Sequence, residues 1–176
     1  SDSDQSHLHQ RTLAIIKPDI IATNKETHVT DKIFEMLMNC SPFEDPDMKI
    51  VSCKCIQMSR EMAENFYYKH VNKPFFNELI EYMISGPCVT MILDGSDAII
   101  RWRALMGSID DREGVGENTL RGLYGSNLLK NGFHGSDSES SSYYEIDYYT
   151  RANSIGTTKK TKMKLSDYDF VMGVGG

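Results

Sequence analysis

Short strand-like segments, each followed by an amphipathic segment, restrict the folds that are open to this chain. Residues 12–16 are apolar, residues 50–58 alternate between apolar and polar side chains, and residues 88–93 are mostly apolar. Each segment has the length and pattern of a β-strand. A fourth strand is predicted within residues 130–138, just before a helix. Helical periodicity and helix-start signals predict helices over residues 29–37, 60–70, 74–83, 97–106 and 138–148, and a short helix or turn over 119–124. Ser59 and Asp97 are the predicted N-caps of the helices that follow them, and residues 39–47 are predicted to form a loop.

The order of these elements indicates the fold class. It runs strand, helix, strand, two helices, strand, helix, loop, strand and helix, and 176 residues are too few for a large doubly wound sheet. We therefore predict an α+β fold, a ferredoxin-like sandwich with helices covering a four-stranded antiparallel sheet. We expect a flexible lead-in at residues 1–10, one folded domain at 11–149, and an extension rich in Lys, Thr and Gly at 150–176.

The composition argues against several classes of function. A net charge of −6 and a pI near 5.3 do not suit a general nucleic-acid binder, which needs a basic face. No apolar run approaches the ~20 residues of a membrane span, and no secretory signal is visible. The four cysteines lack a second pair at metal-site spacing, so we expect buried thiols in a reducing compartment and no zinc site. They are Cys40, Cys53, Cys55 and Cys88.

His134 is the clearest candidate for chemistry. It stands between a Gly-Phe step and a Gly-Ser-Asp-Ser run, so small residues leave its ring uncrowded. Residues 136–138 are good helix N-cap types, and Glu145 follows within two turns of the predicted helix, where its carboxylate can orient the imidazole. The alternative is a histidine that serves only as part of the core.

Six residues elsewhere in the chain are suited to form a nucleotide site with His134. Lysine and arginine side chains neutralise phosphates, and an aromatic ring stacks on a base. An unperturbed imidazole, with a pKa near ~6.5, is largely unprotonated at neutral pH, so it can accept a phosphoryl group and pass it on. The six residues are Lys17, Tyr67, Phe75, Arg103, Arg121 and Asn131.

These residues lie in motifs that resemble the signatures of the nucleoside diphosphate kinase family. The resemblance covers roughly residues 10–149. Its most specific parts are the Asn-x-x-His-Gly-Ser-Asp block and the Lys-Pro-Asp that ends the first strand. Each of the other matching segments, taken alone, is weak evidence for the family. The matching segments, in the family's order, are residues 12–19, 74–76, 82–87, 119–122 and 131–138.

The resemblance implies a role for each matching residue. His134 would be the phosphorylated nucleophile of a ping-pong reaction, with Ser136 and Glu145 orienting its ring. Lys17 would contact the ribose hydroxyls and the phosphates, and Tyr67 would lie beside the phosphate path.

The nucleotide itself would be held by five further contacts. Asn131 would share the role of Lys17, Phe75 would stack on the base with Leu79 beside it, and Arg103 and Arg121 would hold the terminal phosphates. Stacking without base hydrogen bonds implies broad use of ATP, GTP and nucleoside diphosphates. Mg²⁺ would arrive bridged to the nucleotide phosphates and not in a protein cage.

Several positions depart from the family's pattern. Many members have a threonine two residues after the glycine that matches Gly107. Here that place is Ile109, or Asp110 if the gap falls differently, so one phosphate contact is expected to be lost. The loop 107–118 lacks the family's prolines, and since this loop helps to build the family's hexamer, we expect a dimer at least and a hexamer less readily than usual. Acidic side chains in this loop would repel a nucleotide and reduce activity, namely Asp110, Asp111, Glu113 and Glu117.

Some segments resemble the family's divergent flagellar members, including the radial-spoke homologue, more than its typical members. In those flagellar proteins the fold serves partly as a structural component of a larger assembly. Three functions therefore stay open: an active kinase, a structural or nucleotide-sensing subunit of a larger axonemal assembly, and a module that passes phosphate from histidine to proteins. The expected partners are nucleotides, with a second copy of the chain or a larger protein assembly, and neither nucleic acid nor membrane. The expected location is the cytoplasm, with the ciliary axoneme as the alternative.

Overall fold

The computed structural model describes residues 8–23, 48–108, 118–125, 130–154 and 159–160. The predicted helix at 29–37 and loop at 39–47 lie outside these segments, as do Cys40, Ile109 and the acidic residues of the 107–118 loop. Within the described segments, no helix is both long and apolar enough to cross a bilayer.

The four predicted strands and the predicted helices from residue 60 onward occur in the expected order, and a short helix that was not predicted directly follows the first strand. The strands are β1 (His9–Ile16), β2 (Lys49–Gln57), β3 (Cys88–Ser96), β4 (Phe133–Gly135) and the two-residue β5 (Lys159–Lys160). The helices are α1 (Pro18–Ala22), α2 (Arg60–Phe66), α3 (Phe76–Ile84), α4 (Ala98–Met106), α5 (Leu120–Tyr124) and α6 (Glu139–Ser154), with a 3₁₀ turn at Tyr68–His70.

The strands form one antiparallel sheet in the order β4-β1-β3-β2-β5. The central pair is long: β1 runs against β3 from His9 opposite Ser96 to Ile16 opposite Val89. The predicted four-stranded antiparallel sheet is confirmed, and β5 adds a short fifth strand beside the end of β2. Because β4 pairs only with β1, its three residues form an edge of the sheet.

Two apolar layers explain why β1 is apolar at every position from residue 13 to residue 16. Leu13 and Ile15 face one layer, which α2, α3 and α6 complete, whereas Ala14 and Ile16 face the other, which α1, α4 and α5 complete. Successive side chains of a strand point to opposite faces, so a central strand covered on both faces reads as a continuous apolar run. Each fully buried Leu or Ile contributes roughly 1.5–3 kcal/mol of transfer free energy.

The cysteines follow the same alternation. Cys53 and Cys55, two residues apart on β2, belong to the layer with α4, whereas Cys88 is buried in the opposite layer. Among the three cysteines in the described segments, the sheet therefore separates Cys88 from the other two.

The two predicted helix caps have different outcomes. Ser59 caps α2 as predicted, because its hydroxyl accepts a hydrogen bond from the backbone N–H of Met62 at 3.1 Å. Asp97 precedes α4, but the prediction that its side chain caps the helix is wrong. Its backbone is left-handed, with φ of 51°, whereas a capping residue needs an extended backbone. The amide oxygen of Gln10 instead accepts from the backbone N–H of Ile99, at 3.4 Å.

Candidate active site

Backbone packing fixes the position of His134 at the middle of β4. His134 pairs with Ile15 of β1, and its carbonyl oxygen accepts a hydrogen bond from Nε1 of Trp102 at 3.0 Å. The next residue has to be glycine, because a Cβ on Gly135 would lie 2.5 Å from Cδ1 of Trp102. The fully buried Trp102 thus holds α4 directly against the strand that carries the histidine.

A carboxylate and two aromatic rings orient the imidazole. Nε2 of His134 is hydrogen-bonded to Oε1 of Glu145, and the side chains are 16% and 8% exposed. Phe66 and Tyr67 meet the imidazole edge-on, with ring centroids at 5.1 and 5.8 Å. When Nε2 carries the proton and donates it to the carboxylate, the lone pair lies on Nδ1. Nδ1 is therefore the ring nitrogen that can act as a nucleophile.

Three cationic side chains reach the same short segment of chain around His134. Nζ of Lys17 donates to Oδ1 of Asn131 at 2.9 Å, Nη2 of Arg121 donates to the carbonyl oxygen of Phe133 at 3.1 Å, and Nη1 of Arg103 donates to that of Gly135 at 3.3 Å. They come from the end of β1, from α5 and from α4. The fold thus gathers positive charge on both sides of the histidine, as a phosphate site requires.

Lys17 is a strongly perturbed cation. Its side chain is 5% exposed. Burial, and then the charge of Arg121, lower its pKa to about 7, although the nearby Asp19 carboxylate acts in the opposite direction. Its hydrogen-bond acceptor, the amide of Asn131, is uncharged. A bound anion would add negative charge to that of Asp19 and so favour the charged form of Lys17 further.

A row of rings leads from the imidazole to the protein surface. The rings of Tyr67 and His70 are stacked, with centroids 6.4 Å apart, and those of His70 and Phe75 are 5.6 Å apart. Phe75 is 41% exposed, so part of its ring is open for stacking on a flat ligand. Leu79, one turn further along, is buried in the core, and its backbone N–H donates to the carbonyl oxygen of Phe75 at 2.9 Å.

Two of the predicted site residues form hydrogen bonds with groups other than the imidazole of His134. The hydroxyl of Ser136 accepts from the backbone N–H of Leu13 at 3.3 Å and so ties the chain after β4 to β1. The hydroxyl of Tyr67 donates to Sδ of Met83 at 3.7 Å, and burial raises the pKa of Tyr67. Tyr67 thus contacts His134 through a T-shaped arrangement of the two rings, and Ser136 acts on the backbone.

Several neighbours of the site could not be predicted from the sequence. Phe66, Trp102 and His70 looked like ordinary core or surface residues, because only the folded arrangement brings them to the imidazole. The hydrogen bond between the Tyr82 hydroxyl and Oδ1 of Asp19 lies beside Lys17 and was also unforeseen. Asp19 follows Lys17 closely in the Lys-Pro-Asp motif, which is the one signal that pointed to it.

An oriented imidazole among convergent cations defines a protein equipped to handle phosphoryl groups. Comparison with known proteins identifies the family. The model for "Nucleoside diphosphate kinase" matches residues 10–155. The curated nucleoside diphosphate kinase of Lawsonia intracellularis is 41% identical over 143 residues, which are 81% of this chain and 96% of the relative. That of Campylobacter jejuni is 36% identical over 146 residues, which are 83% and 98%.

Solved structures agree with the sequence comparison. The nucleoside diphosphate kinase of Aquifex aeolicus superposes with a TM-score of 0.70 at 36% identity, covering 81% of this chain and 95% of that one. The enzyme of Encephalitozoon cuniculi superposes with a TM-score of 0.68 at 30% identity, covering 80% and 88%. This chain belongs to the nucleoside diphosphate kinase family, and the resemblance seen in its motifs is confirmed.

Proposed function

We propose that this protein transfers the terminal phosphate of a nucleoside triphosphate to a nucleoside diphosphate, with His134 carrying the phosphate between the two. Membership of the family supports the overall reaction. The observation that carries the role of His134 is the hydrogen bond between its Nε2 and Glu145, in a segment that three cationic side chains contact.

The transfer takes place in two displacements at phosphorus. The lone pair on Nδ1 of His134 attacks the terminal phosphorus, the N–P bond forms, and the bond to the bridging oxygen breaks as the nucleoside diphosphate leaves. A second nucleoside diphosphate attacks the same phosphorus through a terminal oxygen, which breaks the N–P bond and restores the imidazole. Glu145 holds the Nε2 proton throughout and stabilises the positive charge that develops on the ring.

The three cations supply the electrostatic part of catalysis. Negative charge spreads over the equatorial oxygens during phosphoryl transfer, and preorganised donors in a water-poor site stabilise it. The backbone hydrogen bonds of Arg121 and Arg103 hold their guanidinium groups near His134 before any ligand arrives. Phosphate binding changes the protonation of Lys17 most, because the negative charge of the phosphate favours the charged form of this buried lysine.

Phe75 is proposed as the platform for the base. Its exposed ring offers a π face, and stacking is worth about 1–3 kcal/mol per base without regard to base identity. A site that stacks the base accepts both ATP and GTP. Replacing the ring in Phe75→Ala should therefore raise KM for adenine and guanine nucleotides by the same factor, which steady-state assays with both measure.

The divalent metal that the family uses is proposed to be Mg²⁺, held by the nucleotide phosphates. The donor set around His134 suits this arrangement, since Lys17, Arg103 and Arg121 are cationic and bind phosphate oxygens, not metal. Among the described residues, no group of three or more His, Cys, Asp or Glu side chains could hold a metal ion. When bound, Mg²⁺ neutralises phosphate charge and keeps several waters, as it prefers.

Assembly, domain limits and location remain proposals. We propose a homo-oligomer, a dimer at least. The kinase domain is proposed to span residues 9–154, from the start of β1 to the end of α6, and not the predicted 11–149, between a lead-in and a C-terminal extension. The cytoplasm is the proposed location. The ciliary location and the assembly role remain predictions from the flagellar resemblance, and no contact within the described segments favours them over catalysis.

Labelling with γ-³²P-ATP tests the proposal. We expect an acid-labile label that GDP removes as labelled GTP, and no label in a His134→Asn variant. A His9→Asn variant, which changes an exposed histidine at the start of β1, is the matched control and should label normally. Absence of label in the unmodified protein, or persistence of label in His134→Asn, would contradict the proposal. Label that resists GDP but moves to another protein would point to protein phosphorylation instead.

A further inference from the structure

A partly buried tyrosine–carboxylate pair lies beside Lys17 and is separate from the groups that surround the imidazole. The Tyr82 hydroxyl of α3 donates to Oδ1 of Asp19 in α1. Nζ of Lys17 lies over the Tyr82 ring, 5.9 Å from its centroid. The pair thus links α1 and α3 next to Lys17, the residue that directly follows β1.

The second oxygen of the carboxylate is buried with no hydrogen-bond partner in the described part of the chain. A Cβ built on Gly132 would lie 3.9 Å from this Oδ2, so the oxygen faces the segment that leads to His134. The backbone N–H of Lys17 donates to the carbonyl oxygen of the same Gly132 at 2.7 Å. A buried carboxylate oxygen without a donor is costly unless a charge compensates it, and the nearby ammonium of Lys17 can do so.

Lys17 depends on such compensation. The groups that face it are Arg121 of α5, Asp19 of α1, the ring of Tyr82 in α3 and the amide of Asn131 before β4. Of these, Arg121 opposes its positive charge, Asn131 is neutral, and Asp19 is the carboxylate that favours the charge. The ring face of Tyr82 adds a weaker attraction for the ammonium.

We infer that Asp19 and Tyr82 are positioning residues for the reaction: Tyr82 fixes the carboxylate of Asp19 beside Lys17, and the pair keeps that lysine a cation aimed at the nucleotide phosphates. Neither residue needs to touch the nucleotide. The inference rests on the proposed role of Lys17 in binding phosphate.

Two measurements test the pair, one of which requires no turnover. The first is an NMR titration of the Lys17 side chain in isotopically labelled protein. Asp19→Asn keeps the shape of the side chain and removes its charge, so the pKa of Lys17, about 7 in the unchanged protein, should fall by about one pH unit. Tyr82→Phe keeps the ring and removes the hydroxyl, so it should lower the same pKa by a smaller amount. Asp19→Glu should restore most of it.

The second measurement is KM for a nucleoside diphosphate across pH. If only protonated Lys17 binds phosphate, a pKa lower by about one unit raises KM about twofold near pH 6 and about ninefold near pH 8. kcat should change less than KM, since the pair does not touch the reacting atoms. A purely structural role would change KM by the same factor at every pH.

Matched controls make the same chemical changes away from Lys17. Asp147→Asn and Tyr143→Phe alter an acid and an exposed tyrosine of α6, and neither should move the Lys17 titration. An unchanged Lys17 titration in both Asp19→Asn and Tyr82→Phe, or a pH-independent change in KM, would overturn the inference. If ATP does not label the unchanged protein, the kinase proposal fails, and the titration still decides whether the pair acts on Lys17.

Discussion

The low pKa of Lys17 should make the stability of the protein depend on pH in a way that one substitution can isolate. Lys17 has a pKa of about 7 in the folded protein, against an ordinary value of 10.5. Between these values the unfolded chain holds a proton at this lysine and the folded chain does not. The free energy of unfolding therefore rises with pH in this window, by about 1.4 kcal/mol per pH unit.

The expected magnitude follows from the two pKa values. From about pH 6 to about pH 9, Lys17 should add about 2.5 kcal/mol to the free energy of unfolding, nearly all of it above pH 7. Lys17→Met removes the ammonium and keeps a side chain of similar length, so the variant lacks this gain. All other titrating groups cancel in the difference between the two proteins, apart from any that sense the lost charge.

Urea unfolding without nucleotide, repeated at several pH values, measures this difference. The free energy of unfolding of the unchanged protein minus that of Lys17→Met should rise with pH. Lys49→Met, which removes an exposed lysine from β2, serves as the control, and its difference should stay flat because solvent screens an exposed charge. A flat difference for Lys17→Met would refute the argument, since Lys17 would then be charged in the folded protein throughout this range.

Three other substitutions test the site and its scaffold. Glu145→Gln should slow labelling of His134 by roughly tenfold to a hundredfold, because the neutral amide holds the imidazole less firmly, and rapid-quench labelling measures the rate. Gly135→Ala should destabilise the fold by about 1–3 kcal/mol in urea unfolding, because the added Cβ presses on Trp102. Ser59→Ala should cost about 1 kcal/mol in the same assay, since α2 loses its N-cap.

Each of these predictions has a control or a result that contradicts it. Gly86→Ala adds the same methyl group with its nearest neighbour, Cβ of Pro18, at 3.8 Å, so it should change stability much less than Gly135→Ala. Equal losses at both glycines would argue against the contact with Trp102. Unchanged labelling in Glu145→Gln would mean that the carboxylate does not orient the ring. Unchanged stability in Ser59→Ala would mean that water satisfies the end of α2 equally well.

Local sequence predicted the kinds of element well and their ends less well. The apolar run at residues 12–16 identified β1, but the strand begins at His9, because pairing with Ser96 of β3 extends it. That partner lies far along the chain, so no local pattern could reveal the extension. The predicted helix over 60–70 ends at Phe66, and a 3₁₀ turn follows at Tyr68–His70. The spacing of apolar residues is similar in both kinds of helix, so it could not reveal the change.

Within the site, the sequence located residues whose chemistry is distinctive. The motifs pointed to Lys17 and His134, and the fold brings both beside β4. They did not show that Trp102 anchors the histidine backbone, because its indole reads as one more core side chain. They also left Ser136 open to a role at the imidazole, whereas its hydroxyl bonds the backbone of Leu13. Such contacts depend on which strands are neighbours, and strand order is a property of the whole chain.

The edge position of β4 has a consequence for the order of events during synthesis. Ile15 gains its second sheet partner, His134, only after β2, β3 and the helices that follow them have been made. The carboxylate that orients the ring, on Glu145, comes later still. A ribosome-bound chain that has paired β1 with β3 but has not reached β4 therefore has much of its sheet and lacks the proposed nucleophile. On the proposed mechanism, such a chain cannot take phosphate from nucleoside triphosphates, however well its first strands have folded.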